Sequence, residues 1–294
     1  MFDRANHVHR NAASSQGARA SRCVRLAVVC LAVVLSGGCS STHVAPSELA
    51  ARLQFSAVEL RGTEFVHRAY YAGLRDSPAA PLWVFIEGDG RPWIGGREPA
   101  GDPTSRNPLA LRLAAATGKP VLYLNRPCYD GHASDPACGA ELWTSARYSE
   151  RVVQSMSAAL RTFLSQHGFD EIVLVGYSGG GALSALMAPR LANVRTLVTI
   201  AANLDVAAWT AHHGYLPLDA SLNPADRDEA SAATEIHLVG ALDATVPPQT
   251  SRRYFERRPQ AAVWEYPRFD HVCCWVREWP SIVARIEAAM NRAP

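Results

Sequence analysis

Val173-Leu174-Val175-Gly176-Tyr177-Ser178-Gly179-Gly180-Gly181 is the stretch whose reading decides the fold. An apolar run from Ile172 to Val175 ends abruptly in Gly-Tyr-Ser-Gly-Gly, and the helix-compatible Ala182-Leu-Ser-Ala-Leu-Met-Ala follows at once. This spacing predicts strand, sharp turn, helix, with Gly-x-Ser-x-Gly at the turn. Such a turn puts the serine on a strained backbone, so that its hydroxyl stands clear of the sheet. Residues two before and two after it must pass close to their neighbours, and glycine leaves the room. The start of the following helix has free N–H groups, which suit a negative charge forming beside the serine. Taken alone, the pattern also fits a plain Gly-rich turn between a strand and a helix.

Working outward, the chain reads as alternating strands and helices. Phe55–Glu59 and Phe65–Tyr71 are expected as two strands joined by a turn at Arg61-Gly62. Leu82–Glu87 and Val121–Leu124 are continuous apolar runs, as in strands buried on both faces. Between them a helix is expected from Asn107 as N-cap and Pro108 as first residue, closed by Gly118. Within residues 144–167, Val152, Val153, Met156, Ala159, Leu160, Phe163 and Leu164 recur at helical spacing up to Gly168. Thr196–Ala201, Glu235–Val239 and Ala262–Tyr266 are three further strands, and Pro280 is expected to open a last helix. The alternation implies an α/β architecture: a mainly parallel sheet of about eight strands with helices on both faces.

Composition bounds the rest. The chain has 294 residues, 48% of them apolar, and a formal net charge of +2. Residues 1–38 hold five of the 29 basic residues (Arg4, Arg10, Arg19, Arg22, Arg25) and one of the 27 acidic ones (Asp3), which leaves 24 and 26. That near balance offers no basic patch for nucleic acid. Arg19, Arg22 and Arg25 precede the apolar run Leu26–Leu35, which is too short to span a bilayer and has the length of a signal-peptide core. Ser36-Gly-Gly-Cys39 follows and resembles a bacterial lipoprotein lipobox, with Ser36 where that pattern prefers Leu. The resemblance implies a signal peptide over residues 1–38, a lipid on Cys39, a tether to residue 52 and one domain over residues 53–294. It also implies the cell envelope as location, anchored in the outer membrane and facing the periplasm. An ordinary secretory signal is the alternative. Cys23 and Cys30 would leave with the signal, and Cys128, Cys138, Cys273 and Cys274 remain, an even number in an oxidising compartment. Four cysteines allow three pairings. The local bridge Cys128–Cys138 is the expected one, with Cys273 and Cys274 bonded to each other or cross-linked to that loop.

A serine hydroxyl needs a base within hydrogen-bond reach and a carboxylate to orient that base. His271 follows the last strand in Pro267-Arg-Phe-Asp-His271, and Asp243 follows Glu235–Val239 in Gly240-Ala-Leu-Asp-Ala-Thr-Val-Pro-Pro248. The order Ser178, Asp243, His271 resembles that of the α/β-hydrolase superfamily, over roughly residues 53–292. The resemblance implies Ser178 as nucleophile, His271 as general base and acid, and Asp243 as its orienter. Asp205 competes for the acid role, because some members carry it after the preceding strand. The oxyanion donors implied are the N–H groups of Gly179 and Asp89. Family members often have His-Gly where this chain has Glu87-Gly88, and the carboxylate of Asp89 must turn away from the oxyanion.

Tyr177, Trp93, Trp143, Trp209, His212 and His213 are candidates for lining a cleft, with ordinary packing as the alternative. Residues 203–234 lie where related enzymes insert a lid. His212-His213 has no accompanying ligand set with zinc spacing, so neither a metal nor another cofactor is expected. The activity implied is hydrolysis of small-molecule or lipid carboxylic esters. A peptidase, thioesterase or acyltransferase would use the same groups, and a non-catalytic envelope binding protein on the same fold is the alternative from another class.

Overall fold

The computed structural model describes residues 43–74, 80–227 and 233–292. The signal-like segment and Cys39 lie outside the described residues. The chain begins with α1 (Pro46–Arg52), then β1 (Ser56–Arg61), β2 (Val66–Ala72) and β3 (Leu82–Ile86). A two-stranded ribbon, β4 (Trp93–Ile94) and β5 (Glu98–Pro99), precedes α2 (Leu109–Ala116) and β6 (Val121–Leu124). Next come α3 (Glu150–His167), β7 (Ile172–Tyr177), α4 (Gly179–Met187), β8 (Val194–Ile200) and α5 (Val206–His213). The chain closes with β9 (Thr234–Gly240), α6 (Arg252–Glu256), β10 (Ala262–Tyr266) and α7 (Trp275–Met290).

The main sheet has eight strands in the order β1-β2-β6-β3-β7-β8-β9-β10. The β1–β2 and β2–β6 pairs are antiparallel, and every pair from β6 to β10 is parallel. Alternate residues serve the two faces. Leu82, Val84 and Ile86 join Leu174 and the apolar stripe of α3 on one side. Trp83 and Phe85 join Val173, Val175, α2 and the Trp275, Trp279, Ile282 and Ile286 face of α7 on the other. The parallel strands all point one way, so the loops after β3, β7, β9 and β10 gather at one end of the sheet, where ligands bind in open α/β sheets.

Four sequence expectations change. The polar tether is, from Pro46 onward, helix α1, whose Leu49 and Ala50 are buried against the core. Pro at the first position and an Ala-, Leu- and Glu-containing run favour a helix there. Asn107 does not cap α2: the helix starts at Leu109, and Asn107 Oδ1 accepts from Arg112 Nε instead. The amphipathic helix begins at Glu150, not near residue 144, because a 3₁₀ turn over Ala140–Trp143 comes first. Pro280 lies inside α7 rather than at its start. It removes a single helical donor, while the fully buried Trp275 and Trp279 fix the turn before it.

Candidate active site

Ser178 stands between β7 and α4 with φ 53° and ψ −123°, a backbone conformation that costs a non-glycine residue about 1–3 kcal/mol. Its neighbours hold it there. The Ser178 N–H donates to the Ile200 carbonyl at 2.9 Å, and its carbonyl accepts from Gly181 at 2.9 Å. A Cβ on Gly176 would lie 2.3 Å from the Gly180 carbonyl oxygen, and one on Gly180 would lie 2.3 Å from that of Ile86. Both contacts are with backbone and cannot yield, so the two glycines of Gly-x-Ser-x-Gly are required by close approach.

The structure brings the three expected residues together. Asp243 is buried after β9, and its Oδ1 accepts the N–H groups of Thr245 and Val246 at 2.8 Å each. Its Oδ2 lies 2.8 Å from His271 Nδ1, and His271 Nε2 lies 3.1 Å from Ser178 Oγ. A carboxylate only accepts, so His271 Nδ1 carries the proton and Nε2 presents a lone pair to the serine hydroxyl. The loop bearing His271 is fixed from several sides. Tyr177 OH and Trp275 Nε1 both donate to the His271 carbonyl, and Asp270 Oδ1 accepts from Val272 and Cys273. Asp270 therefore shapes the loop and turns its carboxylate away from the imidazole.

Asp205 is elsewhere occupied. It caps α5 through the Ala208 N–H and receives Asn223 Nδ2 and Arg253 Nε. Burial would raise its carboxyl, but the Asn223 and Arg253 donors outweigh that and keep it below the usual carboxylate range. Trp143 is core. Trp209 Nε1 and His213 Nε2 both donate to the Thr245 carbonyl, so these residues brace the loop that carries Asp243. His212 stacks edge-on against His213, and Trp93 stands on the β4–β5 ribbon. Within residues 203–234, the expected lid region holds α5 and a 3₁₀ turn over Pro224–Asp226.

The loop after β3 lies against the serine: a Cβ on Gly88 would meet the Ser178 Cβ at 3.2 Å. Among the described residues, neither the Asp89 N–H nor the Gly179 N–H donates a hydrogen bond within the chain. The carboxylate of Asp89 lies against the Gly179 backbone, where three side chains hold it. The groups that hold it were not legible in the sequence. Arg126 Nη1 donates to it at 2.5 Å, Arg147 Nη1 at 2.8 Å and Tyr148 OH at 2.7 Å. Burial alone would raise this carboxyl, but the Arg147 and Arg126 guanidiniums hold it well below the usual range. Glu87 accepts the N–H groups of Gly88 and Ala110, and burial pushes its carboxyl up to about 7. A buried acid in this loop was the only available signal, since the arginines come from segments 37 and 58 residues away.

Nearby, the expected bridge joins Cys128 and Cys138, with S–S 2.04 Å, and a second disulfide joins Cys273 to Cys274. Among the described residues no group of three His, Cys, Asp or Glu side chains is arranged to hold a metal, and no helix is long and apolar enough to cross a membrane. A cavity of about 520 Å³ lined by Phe55, Ala72, Lys119 and Val121 lies at the opposite end of the sheet from Ser178 and takes no part in this arrangement.

No family model and no curated protein matches the chain. Solved structures do. An esterase from Pyrococcus furiosus is 12% identical, with a TM-score of 0.59 over 82% of this chain and 92% of that one. The esterase domain of a Rhodothermus marinus protein is 16% identical, with a TM-score of 0.56 over 81% and 99%. An α/β serine hydrolase without lid from Xanthomonas campestris is 16% identical, with a TM-score of 0.51 over 81% and 94%. At such identities the likeness is one of architecture, and by strand order, by the position of Ser178 and by these likenesses the chain has the α/β-hydrolase fold.

Proposed function

We propose that the chain is a serine hydrolase that cleaves carboxylic esters through an acyl-enzyme intermediate. The observation that carries this reading is the hydrogen-bonded line from Asp243 Oδ2 through His271 to Ser178 Oγ, at 2.8 and 3.1 Å. Ser178 Oγ attacks the ester carbonyl carbon while its proton passes to His271 Nε2. Asp243 keeps the imidazole in the tautomer that can accept this proton and stabilises the imidazolium that results. The carbonyl oxygen, now negative, lies between the N–H groups of Gly179 and Asp89. The alcohol leaves with the proton from Nε2. Water then attacks the acyl-serine by the same steps in reverse order.

An ester is favoured over a peptide by the side chains exposed at the end of the sheet that carries Ser178. Among the described residues eight large apolar side chains are exposed. Six of them (Trp93, Ile94, Tyr215, Leu216, Leu242 and Val272) stand on connections that leave the C-terminal ends of β3, β8, β9 and β10, the end that carries Ser178. Apolar side chains exposed at that end suit an apolar acyl chain or a lipid ester better than the polar backbone of a peptide. The lipobox-like Ser36–Cys39 supports a lipid anchor at Cys39 and a place in the cell envelope, at the outer membrane.

A panel of p-nitrophenyl esters of rising acyl length, run beside peptide and thioester substrates, tests the proposal. Turnover of the esters that is lost in Ser178→Ala is expected. Faster turnover of peptides or thioesters would replace it with one of the related activities, and no turnover of any of the three would favour a binding protein.

A further inference from the structure

The Asp89 N–H is an awkward place for an oxyanion donor, because the residue carries its own negative charge a few bonds away. An unpaired carboxylate there would oppose the negative oxygen that forms against the N–H. In this chain that carboxylate is enclosed. Arg126 Nη1 and Arg147 Nη1 take one oxygen each, at 2.5 and 2.8 Å, and Tyr148 OH approaches both, at 2.9 and 2.7 Å. Two guanidiniums against one carboxylate leave the cluster with a surplus positive charge. The side chains of Arg126 and Arg147 are only 2% and 5% exposed, so neither is a surface ion pair.

The donors are themselves fixed. Arg126 Nη2 donates to the Arg147 carbonyl at 2.8 Å, and Arg147 Nε donates to the Thr144 carbonyl at 2.7 Å. Tyr129 OH donates to the Asp89 carbonyl at 3.0 Å, which holds the other side of the same residue. The cluster also reaches the second donor. A Cβ on Gly179 would fall 2.0 Å from Asp89 Oδ1 and 2.6 Å from Tyr148 OH, so the carboxylate and the phenol lie directly against the Gly179 backbone.

We propose that Arg126, Arg147 and Tyr148 are positioning residues of the oxyanion site, which aim the Asp89 N–H and convert its carboxylate from an opposing charge into part of a net positive cluster beside both donors. This rests on the reading of the site as that of a serine hydrolase. The effect belongs to the transition state, because the ester carbonyl in the ground state carries little charge. It is therefore read in kcat rather than in KM.

The test uses the full chain and a p-nitrophenyl ester, with a trifluoromethyl ketone that binds serine hydrolases as an oxyanionic hemiketal. Removing one oxyanion donor outright costs roughly 10²–10³ in kcat. Arg147→Met is expected to lower kcat by about 10²-fold and Tyr148→Phe by about 10-fold, as indirect losses of the same kind. KM should stay within about threefold, and the ketone Ki should rise by the same factor as kcat falls. Arg147→Lys, which restores the charge without the fork, should recover part of the loss. If Arg147→Met does not fold, Tyr148→Phe and Arg147→Lys decide. An active wild-type chain whose folded variants keep kcat and Ki overturns this inference alone, as does loss of kcat with Ki unchanged. A wild-type chain that neither turns over the ester nor takes the ketone overturns the reading of the site together with it.

Discussion

Replacing Asp243 with Asn separates the orienting acid from its competitor by a single atom. In Asp243 one oxygen holds two backbone N–H groups, of Thr245 and Val246, and the other holds His271 Nδ1. An asparagine amide has only one acceptor oxygen, and it must stay on the two N–H donors, since its NH₂ would clash with them. The NH₂ is thereby forced to face His271 Nδ1, which must become the acceptor. The ring proton moves to Nε2 and points at Ser178 Oγ, 3.1 Å away, where no lone pair is left to take the serine proton. Loss of the orienting acid by this tautomer route costs roughly 10⁴ in kcat in the serine protease that serves as its reference case, about 5 kcal/mol of barrier. The same order is expected here, with the thermal midpoint little changed because the side-chain volume is conserved. Asp205→Asn keeps its one oxygen on the Ala208 N–H and Asn223 Nδ2 and loses its pairing with Arg253, whose side chain is 47% exposed. It should cost about 1 kcal/mol of stability and leave kcat within about threefold. Steady-state ester hydrolysis and thermal melts of both variants check this. If Asp205→Asn is the crippling change, or Asp243→Asn keeps more than about a tenth of kcat, the assignment of the acid is wrong.

Three further outcomes follow from particular residues. Replacing Cys128 and Cys138 by Ala opens a short loop and should lower the free energy of unfolding by about 3 kcal/mol on the loop-entropy account; a denaturant titration giving a loss under about 0.5 kcal/mol would contradict it. The Glu87 carboxyl, raised by burial to about 7 in the folded chain, binds its proton more tightly than in the unfolded chain. Its contribution is therefore fully present below the unfolded value near 4.5 and is lost as pH rises to about 7, by up to about 3 kcal/mol, so a stability slope absent from Glu87→Gln is expected over that window. Cys39→Ser should release the protein from the membrane fraction of cells that express it, and a protein that stays membrane-bound would remove the lipobox reading.

The sheet was legible in the sequence because strands buried on both faces read as unbroken apolar runs, as in Leu82–Ile86, Val121–Leu124 and Ile172–Val175. The group of Ser178, Asp243 and His271 was legible because each follows a strand of the parallel set, so chain order alone brings the three to one end of the sheet. Helix starts were less legible. Asn107-Pro108 has the composition of a helix opening, yet Asn107 gives its oxygen to Arg112, and Pro280 sits within α7 because the buried Trp275 and Trp279 outweigh one missing donor. The pairing of Asp89 with Arg126 and Arg147 was not legible at all. It depends on β6 lying beside β3 in the sheet and on the segment before α3 folding over both, which is a matter of topology and not of any local pattern.

The central claim is that Ser178 is an activated nucleophile. Treatment with a fluorophosphonate, followed by peptide mass spectrometry, tests it most directly. A single adduct on the peptide containing Ser178 is expected, absent in Ser178→Ala and strongly slowed in Asp243→Asn, since phosphonylation needs the same proton acceptor at His271 Nε2. A wild-type chain that stays unlabelled, or that is labelled equally in Ser178→Ala, would contradict the account.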